Sequence, residues 1–206
     1  VQQALATMLT MQNAMNTRVH PDWRNQGFAW YRALWIECAE LLDHYGYKWW
    51  KAQHPDMPQV QMEVVDIWHF GLSALLVENC DIPSLAAQLD AQIRAHDIAE
   101  PDLRLATENL ARDTLASHAF SLTAFLDVMH AAGLTLDALY AAYVGKNVLN
   151  FFRQDHGYQE GRYRKEWRGR EDNEHLHELL ANLDNASPTF PDDLYAALSQ
   201  RYREAA

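Results

Sequence analysis

The chain has 206 residues, 49% of them apolar, which suits one globular domain with a sizeable core. Its formal net charge of −11 argues against binding a nucleic-acid polymer or an anionic membrane through the surface as a whole. A small phosphate ligand, held by metal ions or by a local basic cluster, stays compatible with that charge.

Glycine is scarce, Ala and Leu are abundant, and the hydrophobic period is helical almost throughout, so the expected fold is all-α: a helical bundle forming one domain over 1–206. The first predicted helix covers 1–17. Its VQQALATMLTMQNAM is amphipathic, with no basic region ahead of it and no cleavage signature, and the missing initiator Met reads as a trimmed start. After Pro21 a second helix covers 24–45 and stops at Gly46. The stretch GYKWWKAQHPDM then reads as an irregular, aromatic-rich loop. A third helix, 58–79, opens on Pro58, and further helices follow at 84–96, 103–131, 135–155, 172–184 and 191–204. Breaks fall at Pro83, Pro101, Gly133, Gly157 to Gly169, and Pro188 to Pro191. No uninterrupted apolar run approaches the ~18 residues that span a bilayer. Cys38 and Cys80 lack metal-binding spacing and read as small core residues of a reduced, cytoplasmic protein.

Two of these helices carry paired acids. In LWIECAELL, Glu37 and Glu40 stand three residues apart; in QMEVVDIWHF, Glu63 and Asp66 do the same. Residues at i and i+3 share a helix face. If the second helix ends at Gly46 and the third begins at Pro58, each pair lies about 6.5 residues, or ~10 Å, from the connection. In an antiparallel hairpin the pairs come level. No Lys or Arg occurs from Ala52 to Ile93 to neutralise the second pair. Two carboxylates ~5 Å apart repel by roughly 3 kcal/mol at an effective dielectric constant of ~20. Four clustered acids therefore need either protons or cations, and all-oxygen ligands suit Mg²⁺ first and Mn²⁺ next. A solvated helix face is the plain alternative for either pair taken alone.

A second chemistry competes. His69 follows Asp66 by three, and His177 follows Glu174 by three, a spacing used by di-iron bundles. The second of these sits in the strongly polar EDNEHLHELL, and Glu40 fills a slot that a di-iron site does not require. His69 therefore reads as a hydrogen-bonded core histidine behind the acids.

The segment 145–173 differs in composition. Gly145, Gly157, Gly161 and Gly169 fall within it, and Arg162, Arg164, Lys165, Arg168 and Arg170 crowd nine consecutive residues. A glycine-spaced, basic, aromatic segment in an acidic protein is expected to be a mobile, phosphate-binding loop. A solvated linker is the plain alternative.

WIECAELLDHYGYKWWK, EVVDIWHFGLS and GKNVLNFFRQDHGYQEGRYRKEWRGREDN together resemble the dimeric, all-α dUTPases, within the MazG-like all-α nucleoside triphosphate pyrophosphohydrolases. The resemblance runs from Met8 to about Leu176. It implies that Glu37, Glu40, Glu63 and Asp66 bind Mg²⁺, with Mn²⁺ as a substitute, and hydrolyse dUTP to dUMP and pyrophosphate. It implies phosphate contacts from Arg153, Tyr163, Lys165 and Arg170, and further nucleotide contacts from Asn147 and Asn173. Gln12 and Asn16, in TMQNAMN, would meet the uracil edge, where an amide supplies both a donor and an acceptor. Trp49, in KWWK, would pack near the base or ribose. Among the acids, Glu40 is the expected partner of the attacking water. A homodimer is implied, with dUTP as substrate and dUDP as a further candidate. A related enzyme for dCTP or a damaged nucleotide, a di-iron bundle and a non-enzymatic helical oligomer remain the rival readings.

Overall fold

A computed structural model describes residues 1–97, 102–184, 187 and 189–205. The expected break at Pro101 and part of that between Pro188 and Pro191 lie outside the described residues. The chain forms two compact units, Val1–Tyr140 and Ala141–Ala206.

In the first unit, α1 (Gln2–Val19) leads through a short 3-10 turn (Trp23–Asn25) to α2 (Trp30–Tyr45). α3 (Met57–Glu78), α4 (Ile82–Ala95), α5 (Leu103–Ser117) and α6 (Leu122–Ala131) follow, and the start of α7 (Leu136–Asp155) closes the unit. α3 begins where Asp56 accepts a hydrogen bond from the Gln59 N–H (3.3 Å) and Pro58 occupies the first turn. α2 and α1 both pack on α3, and α5 packs on α2.

The core is built around α3: Val60, Val64, Ile67, Leu72 and Leu76 are fully buried, and Trp68 stacks on Phe125 with centroids 4.9 Å apart. The Trp68 indole N–H points at Met8 Sδ (3.3 Å). Trp68 is therefore a core residue. By length and composition alone α3 resembles a membrane span, yet 67% of that window is buried within the fold. Cys38 is buried as expected, its thiol pushed up to about 12 by burial and by Glu37. Cys80 is exposed, contrary to the core reading.

Two predicted helices break at positions whose residues are weak breakers. The expected 24–45 helix is interrupted because Gly27 takes φ +66°, and α2 starts only at Trp30. The expected 103–131 helix divides at His118, which takes a left-handed φ of 57°, and Ser121 then caps α6 by accepting from the Ala124 N–H. No Gly or Pro marks that break.

In the second unit, the rest of α7 is followed by a two-stranded antiparallel hairpin, β1 (Glu166–Trp167) with β2 (Arg170–Glu171), then α8 (Asp172–Asn182) and α9 (Phe190–Glu204). Gly145 belongs to α7 and not to a loop. A Cβ there would lie 2.5 Å from a Leu180 methyl, so its role is close helix approach. Trp167 is buried, and Phe152, Tyr163 and Tyr202 gather edge-on around it. The segment expected to move is thus anchored by aromatic packing at its centre.

Candidate active site

Three of the four expected acids converge. One oxygen from each of Glu37, Glu63 and Asp66 lies within 4.8 Å of the others, placed by α2 packing along α3. Glu63 is buried, and His44 Nε2, which the sequence reading did not single out, sits 3.5 Å from its Oε1. Glu40 does not join the convergence; it is exposed on α2, although its charge still acts on Glu37.

The electrostatics follow from this geometry. Burial first, then the Asp66 charge, a hydrogen bond with Glu63 and the charges of Glu63 and Glu40 push the Glu37 carboxyl from 4.5 up to about 9. Without a cation, Glu37 keeps its proton at neutral pH. An all-oxygen triad with too much negative charge for its volume fits a hard divalent cation.

One to two turns farther along the same face of α3, the polar stripe continues into a buried network shared with α1. Gln12 Nε2 donates to Asn16 Oδ1 and to Ser73 Oγ (both 3.0 Å), and Asn16 Nδ2 donates to Ser73 Oγ (3.0 Å). Gln12 Oε1 lies 2.8 Å from His69 Nδ1, and Ser73 Oγ donates to the His69 carbonyl (3.0 Å). Gln12, Asn16, His69 and Ser73 are all buried, so the two amides do not lie on a solvated helix face. His69 is a member of this network. Glu174, the acid of the second di-iron spacing, accepts from the Glu171 N–H (2.8 Å) and pairs with Arg170, which ties it to its own helix start.

The aromatic loop between α2 and α3 is outward-facing. Trp49 is 90% and Trp50 61% exposed, their rings edge to face, so Trp49 is available to a ligand or partner and contributes nothing to the core. The loop is held at its ends by Arg104, which donates to the Gly46 carbonyl through Nε (2.9 Å) and Nη2 (2.6 Å), and by the Asp56 N–H bonded to the His44 carbonyl.

The second unit has its own polar centre, which the sequence reading missed: Asp172, fully buried. Arg153 grips it bidentately, Nε to Oδ2 and Nη2 to Oδ1 at 2.8 Å each, and the Tyr163 hydroxyl donates to Oδ2 (2.8 Å). Burial alone would raise the Asp172 pKa, but the Arg153 bonds and charge, the Tyr163 hydroxyl and the Lys146 charge outweigh it and lower it. Arg153 and Tyr163 were expected at a phosphate. In this structure their donors face Asp172 instead, because a buried carboxylate demands compensation.

Buried Lys146, also missed, donates to Asn173 Oδ1 (3.0 Å). Asn147 is buried, and neither its amide nitrogen nor its amide oxygen has a hydrogen-bond partner among the described residues. Lys165 and Arg170 remain on the surface, paired with Glu171 (3.3 Å) and with Glu178 (2.7 Å). Lys146 and Asp172 lay inside quoted motifs, GKN and EDN, but spacing does not reveal which polar residue of a motif points inward.

Compared with known families, the chain matches the family model described as dUTPase over residues 4–158. No curated protein matches it. The match contains all four acids, Gln12, Asn16, Trp49, Asn147 and Arg153, and ends before Tyr163, Lys165, Arg170 and Asn173.

Proposed function

The chain belongs to the all-α dUTPase family and is a dUTP-hydrolysing enzyme, and from that premise we propose Mg²⁺-dependent cleavage of dUTP to dUMP and pyrophosphate. The observation that carries the reading is one helix face. Going along α3, the acid triad at Glu63 and Asp66 gives way to the amide network at Ser73, with Asp66 and Ser73 seven residues and therefore about 10 Å apart along the helix. That separation suits a molecule with a base at one end and a phosphate chain at the other.

Glu37, Glu63 and Asp66 would hold Mg²⁺, with Mn²⁺ as a substitute. Bound there, the cation supplies positive charge against the phosphate oxygens and acidity to a water molecule. Glu40, exposed beside the triad, orients or deprotonates the attacking water. A cation held there would offset the burial and the neighbouring negative charges that raise the Glu37 pKa, so that Glu37 could bind it as a carboxylate. Gln12 and Asn16 face the base, and Trp49 covers it or the ribose.

Lys165 and Arg170 exchange their surface glutamate pairs for phosphate oxygens, while Asn147 and Asn173 contact the nucleotide. Arg153 and Tyr163 support that segment by holding Asp172. The substrate is free dUTP, with dUDP as a weaker candidate, in the cytoplasm. The protein acts as a homodimer, for which the exposed Trp50 offers apolar surface.

The deciding experiment is pyrophosphate release measured against each deoxynucleoside triphosphate, with Mg²⁺ and with chelator. Release from dUTP alone, lost in chelator, supports the reading. Equal release from dCTP, or full activity in chelator, overturns it.

A further inference from the structure

The network between α1 and α3 has a direction, and one hydroxyl sets it. Ser73 Oγ lies 3.0 Å from the His69 backbone carbonyl, which can only accept, so the single hydroxyl proton is committed there. Toward α1, Oγ is then purely an acceptor. One amide atom of Gln12 and one of Asn16 approach it at 3.0 Å, and both must be nitrogens. The Gln12 nitrogen reaches the Asn16 oxygen at 3.0 Å, as that assignment requires. The Gln12 oxygen is left facing His69 Nδ1 at 2.8 Å, so Nδ1 carries a proton. Rotating either amide by 180° would press an oxygen against an oxygen that has no proton to share. All four groups are buried, so water cannot repair the loss.

We infer that Ser73 and His69 are the positioning residues that make the site prefer uracil to cytosine. The inference rests on the reading that Gln12 and Asn16 face the base. Uracil presents an N3–H between two carbonyl oxygens; cytosine presents a bare N3 beside an amino group. An amide free to rotate serves both edges, because rotation swaps its donor and acceptor. An amide locked from behind serves one. Ser73 and His69 touch no substrate atom; they act by forbidding the rotation.

The test compares kcat/KM for dUTP and for dCTP, in Mg²⁺, for the wild type and for Ser73→Ala, Ser73→Thr and Asn16→Ala. The wild type is expected to favour dUTP. Ser73→Ala should lower the dUTP-to-dCTP ratio at least tenfold, while Ser73→Thr, whose hydroxyl can bond the same carbonyl, should keep it within threefold. A merely structural serine would lower both values together and leave the ratio unchanged, which overturns the lock. Asn16→Ala separates the lock from its premise. If it too leaves the ratio unchanged, the amides do not read the base. If it collapses the ratio and Ser73→Ala does not, the amides read the base without the lock.

A second measurement needs no substitution and decides the matter if Ser73→Ala does not fold. Nitrogen-15 NMR of the wild-type protein should find the neutral His69 ring protonated on Nδ1. A proton on Nε2 alone would mean that the Gln12 amide is turned the other way, and the proposal would fail.

Discussion

Replacing Glu37 with Gln should raise stability without metal and remove the response to metal. Carboxylate oxygens no more than 4.8 Å apart repel by about 3.5 kcal/mol per pair at an effective dielectric constant of ~20. Glu37 faces two such neighbours, so ionising it costs about 7 kcal/mol. A carboxyl raised from 4.5 to about 9 corresponds to about 6 kcal/mol at ~1.4 kcal/mol per unit, and burial is its largest cause, so the two neighbouring charges act at well below that bare repulsion. Between pH 4.5 and about 9 the folded protein holds a proton that the unfolded chain has lost. In chelator, stability should therefore be highest at the acid end of that window and fall by up to ~1.4 kcal/mol per pH unit as pH rises through it.

Glu37→Gln is already neutral. It escapes that loss, which from pH 4.5 to 7.5 amounts to about 4 kcal/mol at ~1.4 kcal/mol per unit, so at pH 7.5 in chelator it should melt above the wild type, with a flatter pH slope across pH 6 to 9. With Mg²⁺ at about 100 times its dissociation constant the wild type should gain ~2.7 kcal/mol, and Glu37→Gln should gain little and turn over no dUTP. Calorimetric melts at four pH values, with chelator and with Mg²⁺, read all of this. A Glu37→Gln protein that is markedly unstable in chelator yet keeps the full Mg²⁺ shift would refute the reasoning.

Lys165→Ala should lower turnover more than tenfold while changing stability by less than about 1 kcal/mol, because the lysine is half exposed and paired only at the surface; urea titration and initial rates check both. Asp172→Asn should destabilise the protein by about 3–5 kcal/mol, since it leaves the half-buried Arg153 guanidinium without its carboxylate. The Asp172 carboxyl is lowered in the folded protein, so its contribution is present above its unfolded pKa and lost as pH falls; the variant should lose that part of the acid sensitivity, and an unchanged urea midpoint would dismiss the role of Asp172. Trp49→Ala should leave the melting temperature within about 1 °C, because nothing buried is removed, and should raise the KM for dUTP severalfold in steady-state kinetics.

Helix type and the acid triad were legible in the sequence because both depend on local periods. Leu, Ala and Val at helical spacing fix which face of α3 turns inward, and the i, i+3 rule then places Glu63 beside Asp66 wherever the helix goes. The ends of elements were less legible. Gly27 interrupts its predicted helix through a positive φ that a glycine permits but does not require, and His118 does the same with no breaker residue at all. Gly145 misled in the opposite direction: a glycine near a glycine-rich loop looked like part of it, whereas Leu180 on α8 explains it.

The polar residues divide on a different line. A cationic side chain announces its charge but not its counterion, so Arg153 and Tyr163 looked available until Asp172 was seen to occupy them. The amides show the deeper version of this problem. Gln12 and Asn16 could be recognised as able to donate and accept, and that very symmetry left uracil and cytosine undecided. What breaks the symmetry is a serine proton given to a backbone carbonyl four residues back within α3, and it orients the two amides only once α1 has packed on α3. Selectivity in such a site resides less in the residues that face a base than in those that fix which way they face.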